Sequence, residues 1–219
     1  MVDSNFIFEN NLIREYIKSA DKYLNEIGFT EHGFAHVSVV ANNASNILKE
    51  LGYDEHTQDM SKIACYMHDI GNTINRINHA EYGATMSFKL LSDLNMPVED
   101  LTSIISAIGN HDEHTGNPIS PISAALIIAD KCDVRRSRVR KRDVNIFDIH
   151  DRVNYSIYEA KLEIDHKLSE IVLNLKLDTD YCSVIEYFEI FVGRMKMCMK
   201  AANYLGVTFS IKINGVKMM

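Results

Sequence analysis

The sequence lacks the features that mark a secreted, membrane-bound or disulfide-stabilised protein. It has no apolar run approaching the roughly 20 residues of a membrane-spanning helix. Residues 1–10 lack a basic start and an apolar core, so no signal peptide is expected there. No two of the four cysteines form a C-x-x-C pair, which favours reduced, buried thiols. These absences predict a cytoplasmic protein with no membrane partner.

Tryptophan is absent, prolines number only three, and acidic residues outnumber basic ones by 30 to 23. The resulting net charge of −7 argues against a protein whose whole surface binds nucleic acid. Hydrophobic residues fill 46% of the 219 positions, which is enough for one or two compact domains. The nine histidines are numerous for this length, so their positions carry the most information about function.

Apolar residues recur at spacings of three and four along most of the chain, which predicts a mainly α-helical fold. The expected helices cover about residues 8–27, 30–52, 54–71, 79–95, 98–110, 120–132 and 146–168. Thr30 is the expected N-cap of the second helix. In the C-terminal part, residues 171–177 and 207–213 alternate with period two on either side of an amphipathic helix over 183–205. We therefore expect a helical bundle that carries a small β-α-β appendage.

Several histidines and aspartates lie at the ends of helices whose other residues are apolar. They are His36, His68, Asp69, His79, His111 and Asp130. Taken singly, each is explained most simply by a core or capping role. Taken together, they are explained more economically by a metal site, because one site would satisfy all of these buried polar groups at once. The second His-Asp pair, His150-Asp151, is interpreted as structural.

The order of these residues resembles the H…HD…D signature of the HD-domain phosphohydrolase superfamily. His36, then His68-Asp69 within an A-x-x-x-H-D-I-G context, then Asp130 carry the resemblance, which covers about residues 30–140. His79 followed by Gly83-Ala84, and His111 preceded by Ala107-Ile108, are similar to the two-metal branch. That branch includes diadenosine tetraphosphate hydrolases and the HD-GYP cyclic dinucleotide phosphodiesterases.

The resemblance implies an HD-type metal-binding helical domain over residues 30–168. An N-terminal helix within 1–29 would pack on it, and the appendage would cover 169–219. By the same resemblance, one metal ion is held by His36, His68, Asp69 and Asp130. Asp69 would also bridge to a second ion held by His79 and His111. Nitrogen and oxygen ligands without thiolate suit iron or manganese, with magnesium, nickel, cobalt and zinc as alternatives.

The sequence departs from the family pattern in three places. Asn72 stands where many relatives carry a lysine that contacts phosphate, so that contact is either missing or supplied by Arg76. We expect both Asn72 and Arg76 to contact substrate. The GYP motif is absent, which weakens a cyclic-di-GMP interpretation. The spacing from Asp69 to His79 is also shorter than expected in the tetraphosphate hydrolases.

A basic run with seven Lys or Arg residues and one acid extends from Lys131 to Arg142. A solvated turn and a nucleic-acid patch are alternative interpretations. Because the run follows Asp130, we expect Lys131, Arg135, Arg136 and Arg138 to bind substrate phosphate. His32 and His114 would face the same site if their stretches are helical, as substrate contacts or proton donors.

The function implied is that of a metal-dependent phosphohydrolase acting on a nucleotide or another small phosphate ester. Metal-activated water would cleave a phosphoester or phosphoanhydride bond, with Asp69 as the central ligand. Asp112, Glu113 or His114 would assist proton transfer, and the sequence does not choose among them. Two alternatives are left open: a non-catalytic nucleotide-sensing module, and an RNA-binding helical protein that uses residues 131–142. A homodimer whose strand-bearing tails pair is also left open.

Overall fold

A computed structural model describes residues 2–141 and 143–218. Its α-helices are α1 (Ser4–Glu9), α2 (Asn11–Glu26), α3 (Phe34–Glu50), α4 (Glu55–Met67), α5 (His79–Asp93), α6 (Val98–Gly109), α7 (Pro121–Lys131), α8 (Ile149–Ser156) and α9 (Val184–Tyr204). Its strands are β1 (Ile157–Asp165), β2 (Glu170–Leu177), β3 (Thr208–Ile213) and β4 (Val216–Lys217). Short 3-10 turns cover Ile70–Thr73, Arg136–Arg138 and Val144–Ile146. The predicted mainly helical fold with a small C-terminal sheet is confirmed. Within the described residues, no helix is both long and apolar enough to cross a membrane.

The helical body is built around α7, whose apolar run from Ala124 to Ala129 is buried throughout. Ser120 caps this helix by accepting a hydrogen bond from the Ser123 amide, and Pro121 occupies the first turn, where no amide hydrogen is needed. Helices α3, α4, α6 and α9 all pack against α7. The end of α7, where Asp130 lies, is therefore held at the centre of the bundle.

Two expected helix starts are placed differently. The expected helix over 8–27 is two helices, because Asn10 has an extended backbone and its side chain caps α2 by accepting from the Leu12 and Ile13 amides. Thr30 does not cap α3, which begins after Gly33. The segment before α3 is fixed instead by the Asp21 side chain, which accepts a hydrogen bond from the His32 amide at 2.7 Å.

The expected helix over 146–168 is wrong beyond residue 156. Residues 157–165 form β1, which pairs antiparallel with β2. The pattern that decides this is the alternation of Ala160, Leu162 and Ile164 with charged neighbours, which has period two. Strand β2 pairs parallel with β3 through the α9 crossover, and β3 pairs antiparallel with β4. The sheet therefore has the order β1-β2-β3-β4 and begins at 157. The domain ranges 1–29, 30–168 and 169–219 stay a prediction.

Two glycines bring the chain segment after α4 into contact with α5. A Cβ atom at Gly71 would overlap the backbone of His79 and Gly83, and one at Gly83 would approach the carbonyl oxygen of His68 at 2.9 Å. Because backbone atoms cannot move aside as a flexible side chain can, only glycine fits at Gly71. This contact places the start of α5, with His79, directly beside His68 and Asp69.

We predict that Gly71→Ala lowers the free energy of unfolding by at least about 1–3 kcal/mol, the usual cost of overpacking a core. The matched control is Gly193→Ala in α9, where a Cβ would meet nothing within 4 Å. There the substitution should stabilise by about 0.5–1 kcal/mol, because alanine loses less backbone entropy in a helix. Denaturant unfolding of both variants measures the difference. Equal stability of the two variants would contradict the close backbone approach.

Candidate metal centre

Six polar side chains from five helix ends meet inside the bundle. His36 lies in the first turn of α3, His79 is the first residue of α5, and Asp130 lies in the last turn of α7. His68 and Asp69 follow α4 directly, and His111 follows α6. All except Asp130 are buried. The structure thus brings together all six residues that the sequence proposed as metal ligands.

The first ligand group consists of His36, His68, Asp69 and Asp130. Asp130 Oδ1 lies 3.3 Å from His36 Nε2 and 3.7 Å from His68 Nε2. Asp69 Oδ2 lies 3.2 Å from His68 Nε2 and 3.9 Å from His36 Nε2. Within the described part of the chain, both buried Nε2 atoms lack a hydrogen-bond partner. Polar atoms without a partner are costly to bury, so a species that binds both nitrogens, such as a metal ion, is expected here.

The second ligand group consists of Asp69, His79 and His111. His79 Nε2 and His111 Nε2 lie 3.1 Å apart. Asp69 Oδ1 lies 3.6 Å from His79 Nε2 and 3.9 Å from His111 Nε2. The two oxygens of Asp69 therefore face different groups, one each, as a bridging carboxylate would require.

In three of the candidate ligand histidines, the Nδ1 atom forms a hydrogen bond to a backbone carbonyl, and this determines which ring nitrogen carries the lone pair. The Nδ1–H of His68 donates to the Cys65 carbonyl at 2.7 Å, and that of His111 donates to the Ile108 carbonyl at 2.6 Å. His79 makes a longer bond of the same kind, 3.1 Å, to the Arg76 carbonyl. Since a carbonyl oxygen only accepts, the neutral rings carry their lone pairs on Nε2, toward the cluster. Two such lone pairs at 3.1 Å repel unless a proton or a metal ion lies between them. The donor set therefore fits a metal ion.

Burial and charge act against each other in this cluster. Burial by itself lowers the pKa of His68, but the Asp69 and Asp130 carboxylates outweigh it and raise the pKa to about 10. Burial raises the pKa of Asp69, but neighbouring His68 outweighs it and holds that pKa well below its usual value. For His111, burial dominates and lowers the pKa. A metal ion that binds His68 must therefore displace a proton from its ring, so the affinity for metal should rise with pH.

Two residues outside the ligand groups hold ligands in place. The Nδ1–H of His36 donates to Asp133 Oδ2 at 2.7 Å, so Asp133 orients this ring. The sequence analysis did not identify a role for Asp133, which it counted only as the one acid in the basic run. Asn72 is fully buried, and its Nδ2 donates to Asp69 Oδ1 at 2.9 Å. The expectation that Asn72 contacts substrate is therefore corrected: it positions Asp69 from three residues further along the 3-10 turn.

Lys131 and Glu113 form a buried ion pair beside Asp130. Lys131 Nζ donates to Asp130 Oδ2 at 2.6 Å and lies 3.0 Å from Glu113 Oε2. Burial raises the pKa of Glu113, but Lys131 and Arg194 outweigh it and hold the pKa well below its usual value. Glu113 therefore carries a charge at neutral pH, which suits an ion-pairing role better than the expected role in proton transfer.

The basic run does not act as one phosphate-binding surface. The Arg135 guanidinium binds Asp133, and that of Arg140 binds Asp21. Lys141 binds Asp151. Arg142 lies outside the described residues. The expectation that Arg136 binds substrate phosphate is wrong. Its guanidinium instead binds the Tyr155 carbonyl and stacks on the Tyr155 ring, with Cζ 4.4 Å from the ring centre. Arg136 borders a separate surface depression with Arg135 and Tyr158.

Two cavities adjoin the metal centre. The first, about 230 Å³, is lined by Ile27, Gly28, Phe29, Thr30, His32, Arg76, Arg138, Asp148, His150, Asp151, Asn154, Phe191 and Arg194. The second, about 390 Å³, is lined by Phe29, Arg76, Ile77, Asn78, His79, Glu81, Asp112, Glu113, His114, Thr115 and Arg194. Of the expected substrate contacts, His32, Arg76 and Arg138 line the first cavity. Asp112, Glu113 and His114 line the second, although His114 lies in a turn and not in a helix.

The structure adds residues that the sequence did not single out. His150 lines the first cavity, although the sequence interpretation gave it a structural role. Asp151 does act structurally, in a capping box with Asp148 at the start of α8. Arg194 lines both cavities from the amphipathic helix α9. The remaining histidines, His56 and His166, are exposed and pair with Asp100 and Glu50.

The candidate ligands fall within a match to a known domain family. The model of the HD domain family matches residues 33–135, a range that contains both ligand groups. Residues 33–135 of this chain are therefore similar to the HD domain. An uncharacterized protein of Methanocaldococcus jannaschii is 25% identical over 181 residues, which cover 72% of this chain and 69% of that protein. The crystal structure of a predicted HD superfamily hydrolase from an uncultured Thermotogales bacterium is also similar. It shares 25% identity, with a TM-score of 0.46 over 57% of this chain and 67% of that one.

We predict that Asp69→Ala removes most of the metal that co-purifies with the wild-type protein, because each oxygen of Asp69 faces a different ligand group. Elemental analysis of the purified protein measures the metal content. Asp100→Ala serves as a control, since among the described residues Asp100 pairs only with the exposed His56, at 2.7 Å. Full metal content in Asp69→Ala would contradict the assignment of this residue as the shared ligand.

A second substitution separates one bound ion from two. His79→Ala removes a ligand of the second group and leaves the first group intact, so metal content should fall by about half. The control is His56→Ala, whose side chain is 58% exposed. If the metal content of His79→Ala equals that of His56→Ala, the centre holds a single ion in the first group.

Proposed function

We propose that this HD domain is a metal-dependent phosphohydrolase that cleaves a phosphoester or phosphoanhydride bond of a nucleotide or another small phosphate ester. One observation carries the proposal. Buried imidazole nitrogens without hydrogen-bond partners converge with two carboxylates next to cavities lined by arginines. The ligand set suits a divalent cation, and the arginines suit a phosphate anion. The two are used together in metal-assisted phosphoryl transfer.

The chain's own residues supply the framework for this chemistry. His36, His68, Asp69 and Asp130 would hold one ion, and Asp69, His79 and His111 a second. A bound divalent ion supplies Lewis acidity, which lowers the pKa of water and offsets charge on phosphoryl oxygens. We propose iron or manganese, since the clusters of potential ligands within the described residues consist of histidines and aspartates without cysteine.

The second cavity offers the groups that could move a proton. Asp112 and His114 line it beside His79. The Asp112 side chain also accepts a hydrogen bond from the His114 amide at 2.9 Å, which keeps the two residues together. Because Glu113 is held ionised by Lys131 and Arg194, we assign proton transfer to Asp112 or His114 and charge balance to Glu113.

The RNA-binding alternative is not favoured by the placement of the basic run. Arg135, Arg140 and Lys141 each bind an aspartate of the chain itself. Such paired charges contribute little to the release of counterions from a nucleic acid. A small phosphorylated ligand bound in the cavities agrees better with this arrangement.

A screen of nucleotides and small phosphate esters with added manganese or iron tests the proposal. We expect turnover of at least one compound, its loss on chelation and its return when metal is added back. Asp69→Asn should lose this turnover, whereas Asp100→Asn should keep it. A metal-loaded protein that binds a phosphorylated compound without turnover would instead support the nucleotide-sensing alternative. Turnover that survives complete removal of metal would contradict the proposal.

A further inference from the structure

Arg194 reaches the metal-centre cavities from outside the HD match. It lies on α9, which connects two strands of the C-terminal sheet and packs on α7. The HD match ends at residue 135, so the resemblance assigns no role to this helix. Nevertheless, three residues line both cavities, namely Phe29, Arg76 and Arg194. The boundary between the two cavities thus carries two arginines.

This boundary has more positive than negative charge. Within the described residues, Arg76 has no carboxylate oxygen within 4.0 Å, and its Nη1 donates only to Asn72 Oδ1 at 3.3 Å. Arg194 Nε donates to Glu113 Oε1 at 3.2 Å. Glu113 also pairs with Lys131, which donates to Asp130, so two carboxylates serve Lys131 and Arg194 while Arg76 is left without one among the described residues. A bound anion would restore the balance.

Both guanidinium groups are oriented by aromatic rings. The Cζ atom of Arg194 lies 5.0 Å from the centre of the Phe191 ring, and that of Arg76 lies 5.3 Å from the centre of the Phe29 ring. Stacking of this kind holds the planar group and leaves its edges available for hydrogen bonds. Among the described residues, the Nη atoms of Arg194 make no hydrogen bond, and the side chain is 30% exposed. These donors suit the oxygens of a phosphate group.

We propose that Arg194, together with Arg76, binds a phosphate group of the substrate at the boundary of the two cavities. The ligand class is a phosphate ester or anhydride, and the identification of that ligand as substrate rests on the proposed function. Helix α9 then completes a site whose proposed metal ligands all lie within residues 33–135. Glu113 is a positioning residue, because it holds Arg194 through Nε and is itself held by Lys131.

The test compares Arg194→Ala, Arg194→Lys and Arg76→Ala with the wild-type full-length protein. The control is Lys196→Ala, which removes one charge from an exposed position of the same helix. Binding of inorganic phosphate to the manganese-loaded proteins is measured by calorimetry. For the most active compound of the screen, KM and kcat are measured as well. Thermal unfolding and metal content establish that each variant is folded and loaded.

We expect Arg194→Ala and Arg76→Ala each to weaken phosphate binding by about ten- to hundredfold, the range for losing a charge-assisted hydrogen bond. KM should rise by a similar factor while metal content stays at the wild-type value. Arg194→Lys should recover part of the lost phosphate affinity, because lysine keeps the positive charge but lacks the planar set of donors of a guanidinium. Lys196→Ala should match the wild type.

Phosphate binding by Arg194→Ala that equals binding by Lys196→Ala would overturn the inference, as would a wild-type protein that binds no phosphate. The binding measurement does not depend on turnover. Arg194-dependent phosphate binding without hydrolysis would therefore support this inference while contradicting the proposed catalytic function. Hydrolysis with an unchanged KM in Arg194→Ala would support the proposed catalytic function and contradict this inference.

Discussion

The convergence of buried histidine nitrogens on one point is the constraint on which the rest of this structure depends. His79 and His111 place their Nε2 atoms 3.1 Å apart, and carbonyl oxygens occupy the opposite nitrogens of both rings. An arrangement of this kind is unfavourable without a cation, so the helix ends that create it are held together against a local electrostatic cost. The close backbone contact at Gly71 and the apolar burial of α7 supply that restraint.

Hydrogen bonds and ion pairs extend outward from the candidate metal centre. The histidine and aspartate ligands are surrounded by Asp133, Asn72 and Lys131, each of which binds a ligand directly. Beyond Lys131, Glu113 links these residues to Arg194 on α9. A continuous series of ion pairs therefore connects the candidate ligand Asp130 to helix α9. This connection explains how a helix outside the family match can take part in the same site.

The convergence of the six candidate ligands could be predicted from the sequence because each is a polar residue next to an apolar helical pattern, and because His68-Asp69 belongs to a recognisable motif. Asp133 and Arg194 could not, since their roles depend on which helix ends meet in three dimensions. Arg136 was misplaced for the same reason: its tyrosine partner is 19 residues away along the chain. Strand β1 was assigned to a helix because Ile157, Ala160 and Ile164 fit spacings of three and four. The competing alternation of Ala160, Leu162 and Ile164 is the correct pattern, as the pairing with β2 shows.

The central claim is that the histidine Nε2 atoms that face the cluster bind metal, and anomalous X-ray diffraction from crystals of the full chain tests it most directly. Data collected above and below the absorption edges of manganese and iron would locate and identify the ions. We expect one anomalous peak at about 2 Å from His36 Nε2 and His68 Nε2, and another between His79 Nε2 and His111 Nε2. A metal-supplemented crystal with no anomalous peak near any of these four nitrogens would contradict the claim.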